Sequence, residues 1–168
     1  MGLKDKKRFL LLPALALFLN FQLHAEELLE KVKIKEVDAS SVQMTDPAIK
    51  ENFDAKNIKD GANWTRWSSR FFDDQWLVLT FRHPVWVRKI NISWQDAYAK
   101  SYDIEVVNEA GQWVRVYSND ESDGGEDTVE IAPVLTGKLR LFCNKRATEW
   151  GFSIWELEIF GARAQASA

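Results

Sequence analysis

Hydrophobic and polar positions alternate along residues 152–161, FSIWELEIFG, so that Trp155, Leu157 and Ile159 fall on one face of an extended chain and Glu156 and Glu158 on the other. The same short period recurs upstream. QWLVLTF (75–81) predicts a strand ended by Arg82-His83-Pro84, and VWVRKINISW (85–94) predicts the next, with Ile90 and Ile92 sharing a face. YDIEVVN (102–108) and WVRVYS (113–118) flank Glu109-Ala110-Gly111-Gln112, a hairpin turn with glycine where a positive φ is easiest. TVEIA (128–132) and KLRLFC (138–143) complete the set. Apolar runs about ten residues apart, separated by Gly, Pro, Asn and Asp clusters, predict an all-β sandwich or barrel. The helix or strand state of the charged lead-in, residues 26–36, stays open, and the small polar tail 162–168 reads as disordered.

Residues 1–25 read as an export signal. Lys4, Lys6, Lys7 and Arg8 precede the apolar run FLLLPALALFLNF, and Leu23-His24-Ala25 ends it, so cleavage after Ala25 and a secreted or periplasmic location are expected. The run is shorter than the roughly 20 residues of a spanning helix, and Pro13 and Asn20 interrupt it. Losing the leader takes 22 basic and 25 acidic residues to 18 and 24, a formal charge of −6 in place of −3. That balance, without a basic cluster, argues against nucleic acid as a partner. The single cysteine, Cys143, forms no internal disulfide and reads as a buried small hydrophobe. A domain of about 143 residues must therefore hold itself by core burial, with help from a metal where one binds.

DGANWTRWSSRFFDDQW, residues 60–76, fits neither a core strand nor a solvated loop, because three tryptophans and two phenylalanines are crowded among acids and arginines. Its fragments, with others in fixed order, carry a resemblance. "ASS" (39–41), "DG…TRW.S" (60–68), "QW" (75–76), "YAKSY.IEV" (98–106), "G.W..VY" (111–117) and "WELEIFG" (155–161) resemble the discoidin, or F5/8 type C, domains and the related galactose-binding-like carbohydrate-binding modules. The resemblance covers residues 37–161. It implies an eight-stranded antiparallel jelly-roll β-sandwich, closed by pairing an early strand with the last, that binds ligands on loops at one end.

The resemblance also implies a structural calcium ion. Calcium takes six to eight oxygens, and Asp60, Thr65, nearby backbone carbonyls and Glu156, which falls on the glutamate position of the motif, are the implied donors. Where many members carry a second oxygen-bearing residue after "DG", this chain has Ala62, with Asn63 beside it as the substitute. Without the resemblance, Asp60-Gly61 reads as a turn and Glu156 as a solvated strand residue. Trp67 and Trp76 read as core, and Trp64 stays open.

Sugar recognition needs a flat aromatic for the ring's apolar face and planar polar groups for its hydroxyls. The loops matching those of the resembled modules offer Trp150 and Tyr98 as stacking or edge contacts, with Arg70, Gln95, Asp96 and Arg146 as hydrogen-bond partners. The other reading has Trp150 covering the sandwich end and Tyr98 packed under a loop. Arg70 and Gln95 stand where relatives often carry glutamate, which favours neutral or acidic saccharides over amino-sugars. SNDESDGGED (118–127) reads as a solvated, flexible acidic loop. With His83 the one histidine after the leader, neither a histidine metal cluster nor a Ser-His-Asp arrangement is available, and an enzyme is the least supported class. The expected function is a non-catalytic module for a saccharide or polysaccharide. The competing one is a protein-interaction or assembly domain of the bacterial envelope, and the acidic loops disfavour a membrane-lipid partner.

Overall fold

The computed structural model describes residues 29–45, 48 and 51–164; the expected export signal at 1–25, residues 26–28 of the lead-in and the last four residues of the tail lie outside them. Among the described residues eight strands are present: β1 (Glu30–Lys31), β2 (Ile34–Ala39), β3 (Trp67–Ser68), β4 (Gln75–Trp94), β5 (Ala99–Val107), β6 (Trp113–Asn119), β7 (Glu126–Arg146) and β8 (Ser153–Arg163). All pair antiparallel. A 3₁₀ turn, Ala55–Lys59, is the one helical element among the described residues.

Two long strands build the sandwich by serving both of its layers. Residues 77–81 of β4 pair with β2 on one side and residues 75–80 with 138–143 of β7 on the other, and β5 and then β6 extend that layer. Residues 85–93 of β4 pair with the first half of β7 and with β8, to which β1 and β3 add short ends. The four strands expected over 75–94 and 128–143 are therefore two continuous ones. At Arg82-His83-Pro84 the chain bends instead of turning back, since the β4–β7 register shifts between Thr80 and Val85, and such an irregularity lets one strand cross between layers. Proline fits there because that stretch makes no ladder pairing.

A second bulge corrects the face expected for the last strand. Ser93 pairs with Glu156 but Trp94 with Ile154, which leaves Trp155 as the extra residue. The inside–outside parity flips at that point. Ile154, Leu157 and Ile159 point into the core at 0%, 1% and 0% exposure, whereas Trp155 is only half-buried and lies against the Arg66 guanidinium, 5.3 Å from its ring centroid.

The core lies between the layers and includes Trp67, Leu77, Ile90, Ile104, Leu141 and Phe152, all at 0% exposure. Each large aliphatic side chain so buried contributes about 1.5–3 kcal/mol. Cys143 is buried among them, and burial pushes its thiol well above its ordinary range, so it behaves as an apolar filler. The lead-in belongs to the sandwich, because Ile34 is 7% exposed and pairs with Phe81. β1 on β8 is the closure of an early strand on the last. The hairpin forms as its glycine predicts, with Gly111 at φ 76 and Asn108 N–H donating to Gln112 O at 2.9 Å.

Candidate functional site

Three loops meet at one end of the sandwich: residues 69–74 before β4, residues 95–98 between β4 and β5, and residues 147–152 between β7 and β8. Backbone hydrogen bonds lace them together. Ser69 N donates to Phe152 O at 2.8 Å, Asp74 N to Asn144 O at 3.3 Å, Ala147 N to Tyr98 O at 3.1 Å and Ser153 N to Ala97 O at 2.7 Å. At Gly151 the loops touch so closely that a Cβ would lie 2.5 Å from the Ser69 carbonyl oxygen and 2.8 Å from that of Arg70.

On this laced base stands an aromatic platform. Trp150 is 55% exposed and meets Phe71 in a T-shaped contact, with ring centroids 5.5 Å apart and planes at 83°. Phe71 is 40% exposed and its neighbour Phe72 64%. Trp150 therefore does not cover the sandwich end but faces solvent. Sequence reasoning passed over Phe71 and Phe72 as exposed rings at this end. The signal was an apolar pair outside any alternating run, flanked by Arg70 and Asp73-Asp74.

The polar candidates divide. Arg70 is exposed, its backbone N–H donates to Ser41 Oγ at 2.9 Å, and its guanidinium makes no hydrogen bond or ion pair among the described residues. Asp96 is exposed at a loop tip. Gln95 shapes its own loop, since its Oε1 accepts from Ala97 N at 3.0 Å. Arg146 is not a free donor: its Nε reaches Asp73 Oδ1 at 2.9 Å, and its Nη1 reaches the carbonyls of Phe71, Glu149 and Trp150 at 2.9, 3.0 and 3.3 Å. Burial works against the charged form of Asp73, but the Arg146 side chain and backbone N–H outweigh it and hold the carboxyl below its usual range.

Tyr98 is half-buried against the core, and Gly124 lies on its ring so closely that a Cβ there would come within 2.7 Å. That contact belongs to the acidic loop, which is held and not loose. Trp94 Nε1 and Ser122 Oγ donate to Asp127 Oδ2 at 2.9 and 3.2 Å, Trp94 N donates to Gly125 O at 2.7 Å, and Ser122 is 1% exposed.

The residues implied for a cation converge beside the same end. Asp60 Oδ1 accepts from Ala62 N at 2.9 Å and Asp60 Oδ2 from Thr65 Oγ1 at 2.8 Å. Glu156 Oε1 reaches across from β8 to accept from Gly61 N at 2.8 Å, and Gly61 holds φ 78. Burial and the Asp60 charge push the Glu156 carboxyl above its ordinary range, with the Gly61 N–H opposing them. Asn63 and Trp64 are exposed at the loop tip. Among the described residues no three His, Cys, Asp or Glu side chains gather as a metal cluster, so a cation here would need Thr65 and backbone oxygens as well as the two carboxylates. A depression of about 300 Å³ lies elsewhere, lined by Lys31, Val32, Lys33, Ile34, Lys59 and Leu157. The platform is an open surface, and its exposed rings, not enclosed volume, mark it as a candidate site.

The profile of the F5/8 type C domain matches residues 36–157. Comparison with curated protein sequences returns no match. Among solved structures, chitosan-binding module 1 of a chitosanase/glucanase from Paenibacillus sp. IK-5 is similar at 32% identity and TM-score 0.69, over 76% of this chain and 95% of that one. Chitosan-binding module 2 of the same enzyme, in complex with chitotriose, is similar at 30% identity and TM-score 0.69, over 76% and 96%. The CBM32 of AlyQ, in complex with 4,5-unsaturated mannuronic acid, shares the fold at 20% identity and TM-score 0.62, over 79% and 99%.

Proposed function

The chain belongs to the F5/8 type C domain family, and from that premise we propose that it is a non-catalytic carbohydrate-binding module whose ligand lies on the Trp150–Phe71 platform. One observation carries this reading: a large indole, 55% exposed, is set at right angles to a second exposed ring on loops fixed by backbone hydrogen bonds. An exposed ring held in place offers the apolar face of a pyranose a surface without first having to be ordered. Arg70, with a free guanidinium next to Phe71, and Asp96 supply planar hydrogen-bonding groups at the rim. Gln95 and Tyr98 shape the adjoining loop. The bound saccharides of the similar modules, chitotriose among them, support the ligand class. The unpaired Arg70 favours neutral or acidic sugars within it.

Asp60, Thr65, Glu156 and neighbouring carbonyls, with Asn63 at the rim, would hold a calcium ion. A carboxylate whose ionisation is opposed by burial and by the neighbouring Asp60 charge suits a divalent cation. Such an ion would neutralise both carboxylates and tie β8 to the loop before β3. The leader fits action outside the cytoplasm, after cleavage behind Ala25.

Affinity gel electrophoresis across chitosan, alginate, galactan and neutral glucan tests the reading. Retardation by at least one polysaccharide, lost in Trp150→Ala, is expected, with Kd on the order of 10 µM to 1 mM. Silence of the wild type across the panel, with capture of an envelope protein that survives Trp150→Ala, would favour an assembly domain instead.

A further inference from the structure

Arg146 lies where the two ring-bearing loops cross, and its hydrogen bonds go to the peptide groups of the ring-bearing residues themselves. Nη1 donates to the carbonyls of Phe71 and Trp150, Nε donates to Asp73 Oδ1, and the Arg146 backbone N–H reaches the same Asp73 oxygen at 3.1 Å. Only Nη2 is left without a protein partner among the described residues. The Arg146 side chain is 25% exposed and that of Asp73 48%, so the guanidinium is mostly shielded while its carboxylate partner keeps one side in solvent.

From this geometry we infer that Arg146, anchored by Asp73, is the positioning residue of the platform: it fixes the right angle between Trp150 and Phe71 and does not itself grip the sugar. The inference rests on the carbohydrate-binding reading of the same site. A planar guanidinium can face several carbonyls and a carboxylate at once, whereas an ammonium is a point donor on a flexible stem. Without the fork, the Phe71 and Trp150 carbonyls have no common donor, and the tip of the 147–152 loop keeps only its backbone tethers at Ala147 and Phe152. Each ring would then have to be ordered again on binding, at about 0.5–1.5 kcal/mol per side chain.

The test has one readout that needs no saccharide. In ¹⁵N-labelled protein the Trp150 indole N–H resonance is assigned by its disappearance in Trp150→Phe, and its relaxation is measured in wild type, Arg146→Lys, Arg146→Gln and Asp73→Asn. The wild-type indole is expected to be rigid, with an order parameter near 0.85, and the variants to fall below about 0.6. In parallel, titration with the best-retained saccharide of the panel should show affinity weakened about three- to tenfold in Arg146→Lys, with the melting midpoint moved by a few degrees at most. A rigid indole with wild-type affinity in the variants overturns the inference. Weakened affinity with a rigid indole also overturns it, because Arg146 then touches the sugar. If wild type binds no saccharide, the binding reading fails while indole relaxation still decides whether Arg146 holds the platform. If an Arg146 variant does not fold, Asp73→Asn carries the test.

Discussion

Trp150→Ala separates a binding platform from a structural cover, and its effect can be sized from exposure. A tryptophan presents about 250 Å² at most, and 55% of that, about 140 Å², is in contact with water. A pyranose lying on one ring face covers about half of it, roughly 70 Å², worth about 1.7 kcal/mol at 25 cal/mol/Å². That is about an eighteenfold change in Kd, and edge contacts to Phe71 bring the expected loss to between ten- and fiftyfold. Stability should change little, since Trp150 lies outside the buried core and its ring meets Phe71 at the surface. Isothermal titration and thermal melts on the same samples measure both. A Kd within twofold of wild type would refute the stacking argument, and a drop in melting midpoint of ten degrees or more would show Trp150 to be a structural lid.

Calcium at saturating concentration should raise the melting midpoint by about 5–10 °C, since a ligand at 100 times its Kd adds about 2.7 kcal/mol; an unchanged midpoint in differential scanning calorimetry would remove calcium from the account. Glu156→Gln should cancel that gain while stabilising the calcium-free protein at pH 7. A carboxyl raised in the folded state makes folding less favourable as pH rises through its folded value, so the benefit should vanish below about pH 4; equal midpoints for variant and wild type at pH 7 would contradict this. Asp103 behaves oppositely: it is 8% exposed, and although burial opposes its charge, Ser118, Asn144 and Arg115 hold its carboxyl low. Asp103→Asn should cost about 1–3 kcal/mol at pH 7, a difference that closes as pH falls through the depressed folded value; a gap as wide at about pH 2.5 as at pH 7 would disprove the linkage. Gly151→Ala, placing a Cβ 2.5 Å from the Ser69 carbonyl, should cost about 1–3 kcal/mol and weaken saccharide binding; a midpoint unchanged in thermal melts would show that the loops yield freely.

The class of fold was legible in the sequence because alternation along 75–81, 85–94 and 152–161 follows from one face being buried. What alternation cannot express is a bulge. The register shifts at Thr80/Val85 and Ser93/Trp94 depend on the partner strand, so the bend at Pro84 and the displacement of Trp155 from the core were not readable locally. The exposure of Trp150 could be anticipated because a large aromatic in a polar loop has no core to join. Arg146 could be placed near the site but not assigned a task, since its partners Asp73, Phe71 and Trp150 are brought to it by loop crossing and not by spacing. The tether of the acidic loop escaped for the same reason: Asp127 is held by Trp94, 33 residues away.

Backbone amide shifts mapped while titrating the best-retained saccharide of the panel into ¹⁵N-labelled protein test the central claim most directly. The account predicts perturbations gathered at residues 69–72, 95–98 and 147–151, with the Trp150 indole among the largest. Perturbations gathered instead along Lys31, Lys33 and Lys59, with residues 147–151 unmoved, would contradict it.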